Sequence, residues 1–266
     1  MTDPITSTAN ERVKRLVRLR DRRERDRSGR FLVEGFREIG RALEGRVEIE
    51  ELYMCPELFL GGNEPALVDG VAAAGAEVFL VAEAPFRKIS YRDRPEGLVA
   101  VARQFPTRLD RLRPDSPALL LVAESIEKPG NLGTMLRTAE AAGAGGLVVC
   151  EPTTDPFNPN VVRASLGTLF LVPLAVASTR ETISWLHAAG IESFAATPAG
   201  AQPHYETDLT GPAALVVGSE QYGLTDAWLQ GADHRVVIPM AGSVDSLNAA
   251  MSAGILLFEA LRQRSR

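Results

Sequence analysis

The sequence predicts an α/β protein in two parts: a small N-terminal α/β domain, then a parallel sheet with helices on both faces. Three observations carry this. Uninterrupted apolar runs, "ALLLVAES", "GLVVCEP" and "AALVVGSE", have the character of strands buried on both faces. Helical-period segments such as "TMLRTAEAAG" and "TRETISWLHAAG" alternate with them, as a parallel α/β sheet requires. A stretch with three prolines and alternating charge, "PTRLDRLRPDSP", interrupts the pattern and reads as a linker. At 266 residues the chain is long for one domain and comfortable for two. The expected division is 1–105, a linker at 106–117, and 118–266.

In order along the chain, residues 1–10 read as disordered. "NERVKRLVRLRDRRERDRSGR" reads as one basic helix stopped near Ser28-Gly29, because glycine accepts the left-handed C-cap. "RFLVEG" is a strand and "FREIGRALEG" a helix. "VEIEELYMC" is a strand with partial alternation, and "PALVDGVAAAGAEVFLVA" a helix, a glycine turn and a strand. "EAPFRKIS" is a short helix and "GLVAVARQF" a strand. The first part therefore holds three or four strands. In the second, "ALLLVAES" leads into a loop, "IEKPGNLG", then a helix and the strand "GLVVCEP". After the helix "TRETISWLHAAG" come the strands "IESFAATP" and "AALVVGSE". The helix "TDAWLQGA", the strand "HRVVIPM" and a final helix from Ser246 complete the list.

Composition narrows the function. The apolar fraction is 45%, enough for a sizeable core. No run of about 18 uncharged apolar residues offers a membrane span. The polar, then basic, N-terminus lacks a signal-peptide core, so a cytoplasmic location is expected. Two cysteines, Cys55 and Cys150, make neither a disulfide framework nor a zinc signature, and three histidines show no ligand spacing. No metal is expected. The net charge of −5 hides an asymmetry: residues 12–30 hold ten basic and three acidic residues, a local +7 that leaves −12 elsewhere. Such a block suits a polyanion, although intrahelical pairs such as Asp21–Arg25 would equally explain a solvated face.

Ligands in a parallel sheet sit outside the carboxyl ends of the strands. Three such ends carry glycine with polar side chains. The first is Glu127-Lys128-Pro129-Gly130-Asn131-Leu132-Gly133, with Arg137 beyond it. The second is Ser219-Glu220-Gln221-Tyr222-Gly223, and the third is "PMAGSVDSLNAAMSAG". No G-x-G-x-x-G follows a strand and no Walker A sequence occurs, which disfavours dinucleotide enzymes and ATPases. No G-x-S-x-G elbow suggests a hydrolase. Each polar residue also has a purely structural reading. Asn131 could cap a helix, Arg137 could lie on a solvated face, Glu220 could complement a helix N-terminus, and Ser246 and Asn248 could start the last helix.

Together, "NLGTMLRTAEAAG", "LVVGSEQYGL" and "VVIPMAGSVDSLNAAMSAGILLFE" resemble, in order, the three motifs of the SpoU (TrmH-type) RNA ribose 2'-O-methyltransferases of the SPOUT superfamily. "RSGRFLVEGFREIGRALEG" is similar, more weakly, to the ribosomal-protein-like substrate-binding domain that many members carry. The resemblance implies a C-terminal α/β fold with a deep trefoil knot. It implies a homodimer through that domain, with both subunits contributing to each active site, and S-adenosyl-L-methionine as cofactor. Gly218, Ile238 and Leu247 would line the cofactor pocket, with Pro239, Met240 and Ser246 beside them and Gly218 leaving room for the ligand. Asn131, Arg137, Glu220, Ser246 and Asn248 match the polar active-site positions. Arg137 would position or polarise the hydroxyl, since a guanidinium stays protonated. Arg15, Arg18, Arg22, Arg23 and Arg30, with Arg37, become candidates for RNA phosphates. Ribosomal RNA is the expected substrate, with transfer RNA, or a non-catalytic RNA-binding assembly protein, as alternatives.

Overall fold

The computed structural model describes residues 3–200 and 202–265. Contacts divide the chain into two units: Met1–Phe105 with Asp155–Leu171, and Pro106–Thr154 with Val172–Arg266. The segment 155–171, which the sequence places inside the second part, therefore packs with the first.

The basic N-terminal stretch forms two helices, not one. Helix α1 (Glu11–Arg18) buries Val13 and Leu16, and Asn10 caps it by accepting from the Arg12 N–H. The chain turns at Leu19–Arg20, and Asp21 caps a new helix, α2 (Arg22–Ser28), by accepting from the Arg23 N–H. Asp21 wins because a carboxylate satisfies an orphan N-terminal donor better at a cap than within a helix. Gly29 ends α2 at φ +65° in the left-handed region, as the sequence suggested. The elements that follow are β1 (Arg30–Glu34), α3 (Phe36–Glu44), β2 (Ile49–Met54), α4 (Glu64–Ala73), β3 (Glu77–Leu80), α5 (Glu83–Ile89) and β4 (Leu98–Arg103). The sheet order is β1-β4-β2-β3, with β4 antiparallel to both neighbours and β2 parallel to β3. Leu16, Leu19, Phe86 and Ile89 pack in one cluster with Phe79 of β3.

The second unit contains β5 (Leu119–Glu124), α6 (Pro129–Ala141) and β6 (Gly146–Cys150); the chain then leaves for α7 (Pro159–Ser165) in the first unit. It resumes with β7 (Leu174–Ala177), α8 (Thr179–Ala189), β8 (Glu192–Ala196), β9 (Gln202–Pro203), β10 (Ala213–Val217), α9 (Asp226–Gly231), β11 (His234–Val237) and α10 (Ala249–Arg264). These seven strands pair in the order β7-β6-β5-β10-β8-β11-β9, every pair parallel. The order reverses between β5 and β10, which is where a doubly wound sheet opens a crevice. The strands β5, β6 and β10 are buried along their whole length, as their apolar runs require. The predicted linker carries part of this unit: Leu112 is buried in its core, and the Val176 N–H donates to the Thr107 carbonyl.

Returning to the first unit, residues 155–171 supply aromatic surface and a charge partner. The Phe157 ring lies 4.9 Å from Phe31 and 5.0 Å from Phe105. Arg25 donates to Asp155 from Nε at 2.8 Å and Nη2 at 2.5 Å, with both side chains buried. A buried guanidinium needs such a partner, which explains why this arginine is absent from the surface. The sequence assigned no element to residues 153–178, so α7 and the short β7 were both missed.

Candidate active site

Three strand ends of the second unit converge at the crevice. The first follows β5. The predicted loop "IEKPGNLG" is in part the first turn of α6, because Pro129 takes the first helical position, where its missing N–H costs nothing. Asn131 therefore sits inside the helix and does not cap it. Its Nδ2 donates to Glu220 Oε1 in a short contact.

The second follows β10. Residues 219–223 close on themselves: the Ser219 N–H donates to the Gly223 carbonyl at 3.1 Å, and the Gly223 N–H returns to Ser219 O at 3.0 Å. Ser219 Oγ accepts from the N–H groups of Gln221 and Tyr222. Gly223 has φ +70°, a backbone state that favours glycine. At Gly218 a Cβ would lie 2.3 Å from Gly223 C and 2.5 Å from Leu224 N. Closure of this turn therefore requires the glycine, a reason that stands beside the expected one of room for a ligand.

The third follows β11. Residues 241–246 run exposed, and α10 begins at Ala249, not at Ser246. Asn248 is its cap, accepting from the N–H groups of Ala250 and Met251. The other end of the same amide donates from Nδ2 to Asn131 Oδ1 at 3.2 Å. Cap and site are thus one residue. Asn248, Asn131 and Glu220 form a hydrogen-bonded row across all three strand ends. Glu220 Oε2 is buried without a partner among the described residues, an acceptor open to a donor from elsewhere.

Beside this row lies a cavity of about 610 Å³, the size of a small-molecule site. Gly218, Glu220, Ile238, Met240, Ser246 and Leu247 line it. Pro239 does not. Ala196, Thr197 and Pro198 beyond β8 also line it, as does Tyr222, which is 76% exposed. Sequence reading missed the β8 end because "ATP" lacks the glycine and polar cluster of the other loops. Arg137 lies outside the cavity. It is exposed on α6 and makes no hydrogen bond or ion pair among the described residues.

A fully buried carboxylate supports the crevice. Glu124, at the end of β5, accepts from Thr179 Oγ1 at 2.6 Å, from the Thr225 N–H at 2.8 Å and from Thr225 Oγ1 at 2.9 Å. It ties the starts of α8 and α9 to the end of β5. Its signal was the acidic residue that ends the apolar run "ALLLVAE". Burial pushes the Cys150 thiol up to about 12, so it is no nucleophile at neutral pH. No group of three His, Cys, Asp or Glu residues among the described residues could hold a metal, and no described helix is long and apolar enough to cross a membrane.

The expected RNA contacts fare unevenly. Arg15 is bonded to Glu51 and Tyr53, Arg30 to Glu50, and Arg22 pairs with Asp26. Arg18, Arg23 and Arg37 are exposed, and their side chains make no hydrogen bond or ion pair among the described residues.

Residues 118–258 match the SpoU rRNA Methylase family, and residues 10–100 match the MRM3-like substrate binding domain. A 23S rRNA uridine 2'-O-methyltransferase of Streptomyces viridochromogenes is 34% identical, over 92% of this chain and 87% of its own. A crystal structure of an RNA 2'-O ribose methyltransferase aligns with TM-score 0.84 at 44% identity, covering 99% of this chain and 100% of that one. The AdoMet-bound rRNA methyltransferase of Sinorhizobium meliloti aligns with TM-score 0.90 at 34% identity, over 98% and 97%. By contrast, an A. aeolicus TrmH/SpoU tRNA modifying enzyme covers 58% of this chain and 79% of its own, with TM-score 0.51 at 27% identity.

Proposed function

The chain belongs to the SpoU rRNA Methylase family, and from that premise we infer that it is an S-adenosyl-L-methionine-dependent enzyme methylating a ribose 2'-hydroxyl in 23S ribosomal RNA. The observation that carries this reading is the row Asn248–Asn131–Glu220 beside one cavity, with an acceptor left open at Glu220 Oε2. The residues suit the cofactor. Ile238 and Leu247 offer apolar walls for a flat base, and Glu220 offers a carboxylate. When bound, the cofactor supplies a methyl group on a cationic sulfur, an electrophile strong enough to react with a positioned hydroxyl.

The chain's own residues would then orient and polarise. Asn131 fixes the Glu220 carboxylate by donating to one oxygen, which leaves the other for a ligand donor. Asn248 holds Asn131 in the rotamer that allows this. Ser246, on the cavity rim, offers a hydroxyl to the ribose. Alignment of hydroxyl, methyl and sulfur accounts for much of the rate in such a transfer.

Arg137 completes the site in our reading by acting in the cavity of a second copy. Its exposure on α6 and its place outside the cavity lining support this. So does an apolar stripe on α10, where Met251 is 61% and Phe258 49% exposed. There Arg137 would hold the hydroxyl or an RNA phosphate as a fixed cation. The trefoil knot and the homodimer enter with the same reading. Ribosomal RNA is preferred over transfer RNA because the rRNA-type structures match both units, whereas the tRNA-type structure matches little beyond half.

Ribose-methylation mapping of total RNA, with and without the gene, tests the reading. One site in 23S ribosomal RNA should lose its methyl. A site lost from transfer RNA alone would overturn the substrate. Arg137→Ala should abolish transfer while retaining the heat of S-adenosyl-L-methionine binding; full activity would remove the assigned role.

A further inference from the structure

The first unit contains an open cleft of about 650 Å³, lined by Phe36, Arg37, Arg92, Asp93, Arg94 and Arg163. Most arginines of this unit already face carboxylates: Arg12 and Arg15 face Glu51, Arg25 faces Asp155, and Arg30 and Arg103 face Glu50. The cleft differs. Arg92 is committed, holding Glu38 at 2.6 Å and also pairing with Glu96. Arg37, Arg94 and Arg163 are exposed, with no hydrogen bond or ion pair from their side chains among the described residues. Four arginines of the cleft, Arg37, Arg92, Arg94 and Arg163, stand against three carboxylates, Glu38, Asp93 and Glu96, a net +1; Arg92 holds both Glu38 and Glu96, which leaves three arginines beside Asp93 without an ion pair among the described residues. Beside them Phe36, the first residue of α3, is 37% exposed.

We propose that this cleft binds single-stranded RNA, with a nucleobase stacked on Phe36 and flanking phosphates on Arg37, Arg94 and Arg163. It rests on the RNA-methyltransferase reading and goes beyond the substrate-binding match at 10–100 by naming the residues that would hold the RNA and the single-stranded form that they would take. Guanidinium groups match phosphate oxygens in a planar, two-pronged geometry. An exposed ring beside them suits a base from an unpaired strand, because a base inside an A-form duplex cannot offer its face. Arg163 lies on α7, outside the substrate-binding match at 10–100 and inside the methylase match at 118–258. The cleft therefore needs the 155–171 segment. The phosphate grip moves from the basic N-terminal helices, whose charges are largely occupied, to a site read from neither helix.

The test uses the full chain and a short fluorescent single-stranded RNA of mixed sequence, titrated between about 50 and 200 mM salt. Each phosphate contact on single strands contributes about 0.7 to the log–log salt slope, so Arg37→Gln, Arg94→Gln and Arg163→Gln together should reduce it by about 2. Phe36→Ala should weaken binding about tenfold at constant slope. Arg103→Gln removes an arginine neutralised by Glu48 and Glu50, and should leave the slope alone. An unchanged slope in the triple variant, or an equal loss in Arg103→Gln, overturns the cleft. S-adenosyl-L-methionine titration on the same variants separates the two readings. Retained heat with a reduced RNA slope supports the cleft. Retained heat with an unchanged slope overturns it and leaves the methyltransferase intact. Absent heat in the unaltered chain overturns the methyltransferase reading, while the RNA titration still decides the cleft.

Discussion

Replacing Asn131 by Asp exchanges the amide NH2 for an oxygen and removes one hydrogen bond. In the native site Asn131 Nδ2 donates to the Glu220 carboxylate, and Asn131 Oδ1 accepts from Asn248 at 3.2 Å. The aspartate keeps the second bond and loses the first, and it sets two carboxylates at contact distance. A hydrogen bond to a charged group contributes about 1.5–3 kcal/mol. Glu220 is only half-buried, so water screens part of the new repulsion. A net penalty of about 2 kcal/mol is reasonable, roughly a 30-fold loss of cofactor affinity if the loops relax apart in the free protein. The companion change Glu220→Gln restores the pair with donor and acceptor exchanged, since the glutamine amide can donate to Asp at position 131. The double variant should recover most of the affinity, a coupling of about 1–2 kcal/mol. Isothermal titration with S-adenosyl-L-methionine measures all four corners of the cycle. If Asn131→Asp binds as tightly as the native protein, or if the double variant binds no better than the single one, the row does not assemble the site. Recovered binding without recovered turnover would assign the Glu220 charge to the reaction itself.

Gly218→Ala forces a Cβ against the backbone of Gly223 and Leu224 at 2.3–2.5 Å. The 219–223 turn must open, and cofactor binding should fall at least tenfold; unchanged binding would show that the turn is dispensable. Asp155→Asn leaves the buried Arg25 charge uncompensated and should destabilise the first unit by about 3–5 kcal/mol in urea unfolding. A loss below about 1 kcal/mol would mean that water or another group replaces the carboxylate. Hydrogen bonds from Arg262 hold the Glu259 carboxyl down at about 2. Its contribution to stability is therefore complete above about 4.5 and lost as the pH falls toward 2. The stability gap between the native chain and Glu259→Gln should be widest near neutral pH and shrink below about pH 4; a gap independent of pH would refute the assignment.

By itself, the amino-acid sequence determined the α/β class, most strands and helices, and the three loops that meet at the site. Those features rest on local rules. A fully buried strand must be apolar along its length, as in "ALLLVAE", and Gly29 stops a helix whatever surrounds it. Its limits were already local at Asp21, where a cap split one expected helix, and at β7, whose four residues are too short to show a period. Tertiary structure alone decided which distant charges meet. Arg25 meets Asp155 across 130 residues, and Asn131 meets Glu220 across 89. No spacing rule reaches that far, because a side chain's partner depends on which chain segments the core brings together. The same physics divided the arginines. Those near a carboxylate after folding are neutralised, and those whose side chains lack one among the described residues, including Arg18, Arg23, Arg37, Arg94, Arg137 and Arg163, remain open to a polyanion.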